Sequence, residues 1–561
     1  MLQTVLTRLS PRRGTPPAFE TAVSYLELPI DAETLIRTTD GIGILCIGFG
    51  VASGIVMHSI HGVLLAISVG VLVILGGEQI PVTAAHARRT TAIGDAPAIV
   101  SRAVLQLRIT PNIESAVVFA ADHDGILASS LSKHILQARG TPQTGLSTFA
   151  AEWRPLFPAL YRAVLLVEAA SETPDTKRDR TLDRAMDAIL RGTQVQVTEA
   201  TEALRGPTTA VYAFGVLLPL ALVAILPAVG AAGLTITVQH ISIAYLGVLP
   251  LALLSATAWL IATRPVAFPP VPIPRTHQAV QMSPFIPVVA GIGGGMVGWL
   301  GSGVIGLDWA RPLAALGFGL GIPGILYNWS IVSVRTTIDD LEAALPDAMY
   351  LLGRRVADGI AVERALSETA PEIEPPLREV LEDAARRIQH LRIDVDSAFN
   401  GEFGTLRAYP SPRLASVATL LDLAAQEGVP AGRTMIETAD HLDALQRIEL
   451  EARRELQQVT STLTNTATVF GPLVGGVTVA LAGLIGDTSE LGGTAIPPSV
   501  LGQLIGVYVL FLACVLPCLA VGLSRGFDRA TIGYRIGWSL CLATIVYLGA
   551  FLLARGIPGG L

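Results

Sequence analysis

Residues 442–486 read LDALQRIELEARRELQQVTSTLTNTATVFGPLVGGVTVALAGLIG, and this stretch decides the fold. Its second part, 462–486, is apolar and long enough to cross a bilayer as a helix. No helix breaker precedes this apolar run, so we predict one helix that leaves a polar domain and continues into the membrane. The first part has apolar residues at steps of three and four, as on one face of a helix: Leu442, Leu445, Ile448, Ala452, Leu456 and Val459.

The composition of the whole chain is that of a membrane protein. Its 561 residues are 51% hydrophobic and only 15% charged, whereas a soluble chain carries about 25% charged residues. Mean hydropathy is +0.55. We therefore predict an all-α, polytopic membrane protein. The net charge of −7 argues against nucleic acid as a partner.

We predict about nine transmembrane helices and derive their orientation from arginine placement. The N-terminal segment 1–40 holds four arginines and is placed in the cytoplasm, so nine crossings put the C-terminus outside. The loops 231–240 and 487–499 contain no Lys or Arg and fall outside in this scheme. Arg311 and Arg555 do not fit, because the scheme places them outside as well. The spans are 41–59, 62–77, 208–230, 241–262, 284–303, 312–330, 462–486, 500–523 and 536–553.

Two long polar segments, 80–207 and 334–461, are predicted to be cytoplasmic helical bundles. Each segment is preceded by a pair of spans, at 41–77 and 284–333, and followed by another pair, at 208–262 and 462–523. A Pro-rich cytoplasmic linker, 263–283, lies between the two halves. The last span, 536–553, has no counterpart in the first half. Because an even number of spans separates the bundles, they form a parallel internal repeat. One fixed offset pairs Pro97 with Pro346, Ile113 with Val362, Glu114 with Glu363, and Ala116 with Ala365.

The two bundles differ in charge. Segment 80–207 has 14 Lys/Arg against 13 Asp/Glu, whereas segment 334–461 has 14 Arg against 23 Asp/Glu, a net charge of −9. Two interpretations stay open, a solvated acidic surface and a docking face for a basic partner. The acidic residues crowd at Asp339, Asp340, Glu342, Asp347, Glu372, Glu374, Glu379, Glu382 and Asp383.

Motifs of catalysis and transport are not apparent. The sequence contains no Gly-x4-Gly-Lys-Ser/Thr loop, no HExxH and no CxxC. His123 between Asp122 and Asp124 is interpreted as part of a turn rather than a metal site. No carboxylate or histidine lies at mid-span, where ion transporters usually keep one. We therefore expect no enzyme activity and no catalytic, cofactor or metal site.

Glycine is frequent in the fifth span. Gly291 with Gly295, and Gly294 with Gly298, form GxxxG spacings that allow two helix backbones to approach closely. These four glycines are helix-packing candidates, although glycine is common in spans and the spacing could be incidental.

The second bundle resembles the type II secretion system F domain. Its opening carries Leu345-Pro346-Asp347, Leu351-Leu352, Asp358-Gly359-Ile360 and Ala365-Leu366. The later run 426–432, QEGVPAG, is followed by the long amphipathic helix and a span. The first bundle departs from this pattern, because Glu168-Ala169-Ala170-Ser171 stands where Glu427-Gly428 would be. It resembles a degenerate F domain.

The resemblance implies a non-catalytic platform protein of a type II secretion or type IV pilus machine, most like the archaeal, archaellum-like branch. Such proteins couple a cytoplasmic hexameric ATPase to the insertion of prepilin-like subunits into a filament, and a homo-oligomer in the cell membrane is expected. A scaffold or sensor without motor coupling stays open as an alternative, and a transporter is a weaker one. Partner-binding candidates are Leu345, Pro346, Asp347, Gly359, Glu372, Glu374, Glu379, Glu427 and Gly428.

Overall fold

The all-α prediction is confirmed by a computed structural model of the protein. Every regular element in the described part of the chain is helical, and no β-strand occurs there. The described residues are 15–26, 31–56, 77, 81–82, 84–85, 88–89, 92–122, 125–140, 145–231, 238–263, 273, 277, 283, 285–488, 497–526 and 528–556.

Two helices, α1 (Pro17–Tyr25) and α2 (Ala32–Val56), precede the first bundle. We call this bundle lobe 1. Its six helices are α3 (Ala96–Ile109), α4 (Ile113–Ala121), α5 (Ile126–Ala138), α6 (Leu146–Trp153), α7 (Pro158–Ser171) and the long α8 (Asp175–Tyr212).

Apolar helices follow lobe 1 without a break in the helical path. A π-helical turn, Ala213–Leu217, joins α8 to α9 (Leu218–Ala231). Next, α10 (Val238–Ser242) continues through a second π segment, Ile243–Val248, into α11 (Leu249–Thr263).

The second half begins with two apolar helices, α12 (Phe285–Val304) and α13 (Arg311–Ala343). The second bundle, which we call lobe 2, follows directly. Its helices are α14 (Leu345–Ala357), α15 (Val362–Thr369), α16 (Leu377–Leu391), α17 (Val395–Asn400), α18 (Pro412–Glu427) and the long α19 (Val429–Asn465). A π turn, Thr466–Phe470, then leads into α20 (Gly471–Thr488), α21 (Pro498–Ser524) and α22 (Arg529–Arg555).

Seven of the described helical stretches are long and apolar enough to cross a membrane, and each overlaps one of the predicted third to ninth spans. They are Lys177–Val223, Val238–Ile261, Phe285–Val304, Asp308–Ala343, Thr460–Gly483, Pro498–Ser524 and Arg529–Arg555. The predicted span 41–59 lies largely in α2, which is not among the seven, and 62–77 lies almost wholly outside the described residues. The count of nine stays a prediction.

Side-chain caps fix where several helices begin. The Asn112 side chain accepts hydrogen bonds from the backbone N–H of Glu114 (2.9 Å) and of Ser115 at the start of α4. Ser411 does the same for Leu414 in α18 at 3.2 Å. Such a cap stabilises a helix by about 1 kcal/mol. The sequence therefore sets the turns of the lobes locally, before any packing is considered.

Each lobe has its own apolar core. Phe149, Leu160 and Met186 are fully buried in lobe 1. In lobe 2 the core packs around Met349 and Leu381. Beyond the lobes, a third cluster joins the apolar helices. Each of the two polar segments therefore folds around a core of its own.

The order of helices is similar in the two halves. Five helices of moderate length precede one long helix, α8 or α19, and each long helix is followed by a π turn and an apolar helix. The packing differs, since α8 lies mainly against α7 whereas α19 lies mainly against α14. The parallel repeat stays a prediction, which this order of helices supports.

Three apolar helices form what we call the membrane frame: α12, α13 and α22. Glycines let their backbones touch, because a β-carbon on Gly298 would lie 2.7 Å from the Ala314 carbonyl oxygen in α13. On the other face of α13, a β-carbon on Gly324 would lie 3.3 Å from the Gly537 Cα in α22. This is the close approach that small residues permit between helices in lipid.

We predict that Gly298→Leu destabilises the protein by about 1–3 kcal/mol, because its side chain has no space between α12 and α13. The matched control is Gly293→Leu on the same helix, where an added β-carbon meets no atom within 4 Å. Thermal unfolding in detergent should show a clear drop for Gly298→Leu alone. Equal melting temperatures for the two variants would contradict this packing.

Candidate functional site

Two long helices, α8 and α19, join the lobes to the membrane, and we call them the stalk helices. Near their N-terminal ends they are linked through Arg108, which contacts Asp183 on α8 and Glu437 on α19. Toward their C-terminal ends, Leu204 and Leu463 enter the same apolar cluster. The stalk helices therefore run in the same direction, side by side, from the lobes into the membrane.

Arg108 is the buried charge at the junction of the lobes. It lies on α3, its side chain is 6% exposed, and its Nη2 is 2.5 Å from the Asp183 Oδ1. The second ion pair, with Glu437, crosses from lobe 1 to lobe 2. A buried arginine needs such partners, because an unpaired charge in a dry interface is costly. Two carboxylates on different stalk helices thus fix the relative position of the lobes.

Apolar side chains cross the same junction. Ile448 of α19 is buried in the core of lobe 1, and Ala444 and Leu445 pack against that core. In return, Leu105 of α3 is buried in the core of lobe 2. Each lobe therefore completes the core of the other, which makes the pair one mechanical unit.

His441 lies near the Arg108 ion pairs, on α19. Burial lowers its pKa, and the Arg108 cation lowers it further, while Asp183, Asp440 and Asp187 act in the opposite direction. The lowered pKa favours the neutral imidazole, which adds no second positive charge beside Arg108.

A second charged network holds lobe 2 to the end of α13. Arg413 lies 3.0 Å from the Glu342 Oε2 and 3.0 Å from the Glu449 Oε2. The Glu449 Oε1 also pairs with Arg453 at 2.6 Å, and the Ser411 hydroxyl donates to Glu342 at 2.6 Å. Helices α13, α18 and α19 meet at this network, so it ties the lobe to the frame.

Burial and pairing act against each other in this network. Burial raises the pKa of Glu342, although the Arg413 cation and the Ser411 hydrogen bond lower it. For Arg413, burial lowers the pKa, but the carboxylates of Glu449 and Glu342 outweigh it, and the net shift is upward. Such a network adds geometric specificity more than stability.

Two ion pairs join α13 of the membrane frame to the residues between α21 and α22. Arg335 of α13 pairs with Asp528, which caps α22 by accepting from the Ala530 N–H at 3.0 Å. Arg525 lies 3.5 Å from Asp339. Burial raises the pKa of Asp528, but hydrogen bonds from Thr531 and Arg335 outweigh it and hold that pKa low. The base of α13 is therefore fixed to the loop between α21 and α22.

The lobe 2 candidates fall at two ends of the bundle. Helices α14 and α19 are antiparallel, because Gln446 donates to the Glu342 carbonyl near the membrane while Gly353 lies against Gly432 farther out. Gly359 and Gly428, with φ of 87° and 70°, are thus brought together at the membrane-distal turns. The backbone of Glu427 ends α18 beside them, and its side chain lies outside the described residues.

The remaining lobe 2 candidates have different environments. Leu345 and Pro346 are buried at the start of α14, so they serve the core, whereas Asp347 is exposed. Glu374 and Glu379 are exposed too. The exposed Glu372 pairs with Arg355 at 2.7 Å.

All four glycine candidates of α12 face α13. A β-carbon on Gly295 would lie 3.5 Å from the Gly319 Cα, and one on Gly291 would lie 2.8 Å from the Gly319 carbonyl oxygen. Gly294 faces Ile322 of the same helix. The structure therefore shows them in a contact within the chain.

Sequence reasoning missed both charged networks. Arg108 sits in the apolar run 103–109, AVLQLRI, where a lone arginine is a signal of a buried partner. Glu449 follows Ile448 on the core-facing side of α19 and offers a similar signal. Their partners lie far away in sequence, and only the fold brings them together.

These features define the class: an α-helical, multi-pass membrane protein whose two lobes continue into spans. Residues 348–479 match the family model described as type II secretion system (T2SS), protein F. The chain therefore carries a type II secretion system F domain, which runs from α14 through lobe 2 into α20 and confirms the resemblance. Lobe 1 lies outside the matched residues. No curated protein and no solved structure matches the chain.

We predict that Arg108→Met loosens the contact between the lobes. The variant removes both ion pairs, and the cost is about 1–2 kcal/mol, because the Asp183 and Glu437 side chains are half exposed and regain water. Hydrogen exchange should rise in α3 and in the N-terminal third of α19. Arg162→Met, at an exposed site on α7, is the control. Unchanged protection in Arg108→Met would remove the assigned role.

Proposed function

We propose that the protein is a non-catalytic membrane platform of a type IV pilus-like or type II secretion-like machine. One observation carries the proposal: the F domain is joined to the membrane by an uninterrupted helical path from α19 through a π turn into α20. A domain that binds a partner in the cytoplasm can in this way act directly on the spans.

The partner that supplies energy is a separate cytoplasmic hexameric ATPase. The chain has no phosphate-binding loop of its own, so ATP must be used elsewhere in the machine. Segment 334–461, which includes most of lobe 2, has a net charge of −9, and lobe 2 exposes Asp347, Glu374 and Glu379. A surface of one sign attracts a partner of the opposite sign. The acidic side of lobe 2 is therefore the docking surface for a basic face of the ATPase.

Movement passes from lobe 2 to the rest of the protein through buried contacts. Arg108 and Ile448 join lobe 2 to lobe 1, and Arg413 joins it to the end of α13. Packed interfaces of this kind shift as units rather than deform gradually. A push on one lobe thus reaches both stalk helices and the membrane frame.

The spans then act on prepilin-like subunits, which move from the bilayer into a growing filament. In this arrangement both lobes face the cytoplasm, the N-terminus is cytoplasmic and the C-terminus is outside. The platform works as a homo-oligomer in the cell membrane. A scaffold or sensor without motor coupling would share the fold but would bind no ATPase.

We predict that reversing Glu372, Glu374 and Glu379 to lysine weakens ATPase binding at least tenfold, because the docking surface then repels a basic partner. The measurement is affinity purification from the native membrane, with quantitative mass spectrometry of the P-loop ATPase recovered. The matched control reverses three exposed acids of lobe 1: Glu172, Asp179 and Glu199.

Equal recovery of the ATPase with both triple variants would refute lobe 2 docking. Failure to recover any P-loop ATPase with the unmodified protein, even after cross-linking, would favour the scaffold. Melting temperatures of the variants should be compared first, because Glu372 also loses its ion pair with Arg355.

A further inference from the structure

The stalk helices change their hydrogen-bond pattern where they enter the membrane. A π segment, Ala213–Leu217, follows α8, and another, Thr466–Phe470, follows α19. In both, the second residue of the next helix is a proline, Pro219 or Pro472. The third π segment of the described chain, Ile243–Val248, precedes Pro250 in the same way.

Proline explains the irregular turns. It has no N–H to donate, and its ring clashes with the carbonyl group four residues earlier. For Pro219 that group is the Gly215 carbonyl, inside the first π segment. A π turn relieves the clash by changing the hydrogen-bond spacing, and such turns often occur at functional sites.

Two tyrosines satisfy backbone groups at the first irregular turn. The Tyr508 hydroxyl of α21 donates to the Gly215 carbonyl oxygen at 2.8 Å. The Tyr245 hydroxyl donates to the Pro219 carbonyl oxygen at 2.7 Å. The two rings touch edge to face, with centroids 5.3 Å apart. A carbonyl group without a hydrogen-bond donor is unfavourable in lipid, so these hydroxyl groups stabilise the irregular turn there.

The helix just before each π segment is weakened as well. Threonine hydroxyls bond the carbonyl group four residues earlier, a pattern that tends to bend helices. In α8 these bonds run from Thr201 to Val197 and from Thr208 to Leu204. In α19 and its π turn they run from Thr460 to Leu456, from Thr464 to Thr460 and from Thr468 to Thr464.

The two irregular turns lie side by side. A β-carbon on Gly471, just after the second π segment, would lie 3.6 Å from the Leu220 Cδ1, just after the first. A change of angle in one stalk helix therefore displaces the other.

We propose that residues 213–219 and 466–472 are paired hinges, at which the stalk helices change their angle to the spans α9 and α20. The hydrogen bond from Tyr508 to Gly215 holds the first hinge in the angle seen here. Bending occurs at these turns because proline, the π spacing and threonine bonding all lower the cost of bending there. The hinges do not depend on the identity of any partner.

Pulsed electron–electron double resonance tests the proposal by measuring the distance between two spin labels across each hinge. The protein is studied in nanodiscs without an ATPase. Spin labels go on Glu199→Cys with Ile225→Cys, and on Glu455→Cys with Leu481→Cys, all exposed positions, after the four native cysteines are replaced by serine. Each pair is 26 residues apart, about 39 Å along a straight helix. Both pairs should give broad distance distributions.

The variants should act in opposite directions. Pro219→Ala restores the missing donor and should narrow the distribution of the first pair more than that of the second. Pro472→Ala should narrow the distribution of the second pair more than that of the first. Because the two turns are in contact, a smaller change at the other pair is expected in each case. Tyr508→Phe removes only a hydroxyl and should broaden the first. Tyr547→Phe is the control. Its hydroxyl also donates to a helix carbonyl, that of Gly502 at 2.7 Å, but the residue four positions after Gly502 is not a proline.

Narrow distributions in the unmodified protein, or distributions that none of the three variants changes, would overturn the hinges. This test is independent of the proposed function. The hinges could be present in a protein that binds no ATPase, and binding of an ATPase would not show that the hinges exist.

Discussion

The contact between the two stalk helices is the interaction on which the rest of the structure depends. Each helix is amphipathic beside its lobe and apolar where it enters the membrane. Arg108, bridging Asp183 and Glu437, and Ile448, buried in the other lobe, hold them parallel. Without this contact, each lobe would be connected to the membrane only by its own stalk helix. A force on the F domain would then move lobe 2 and α19 but not lobe 1.

The membrane part has a different physical basis. Apolar surface gives no driving force between helices in lipid, so close backbone contact has to take its place. Gly298, Gly319 and Gly324 provide that contact along α13. The ion pair of Arg335 with Asp528 then fixes the frame where it leaves the bilayer. A fixed frame beside jointed stalk helices is the arrangement expected of a protein that passes movement to spans.

Much of the fold could be predicted from the sequence because its signals are local. Apolar length gave the third to ninth spans, and the period of Leu442, Leu445 and Ile448 gave the stalk helix. The helix and turn pattern of the second bundle, including the run 426–432, indicated the F domain. The charged networks could not be predicted, since Arg108 meets Glu437 only after both lobes have folded and docked. The π turns were also missed: proline signals a bend, but the hydroxyl of Tyr508 that satisfies it comes from a distant helix. Gly428 was a partner-binding candidate, but the end of the lobe on which it lies follows only from the direction of α19.

A platform driven by a cytoplasmic ATPase needs both lobes on the cytoplasmic side of the membrane and the turn between α12 and α13 outside. Labelling of single cysteines with a membrane-impermeant maleimide tests this most directly, after the four native cysteines are replaced by serine. The labelled positions are Arg162→Cys in lobe 1, Arg433→Cys in lobe 2 and Asp308→Cys between the spans, all exposed. We expect Asp308→Cys to react in intact cells and the two lobe positions to react only after permeabilisation. Reaction of either lobe position in intact cells would contradict a platform that receives its movement from a cytoplasmic ATPase.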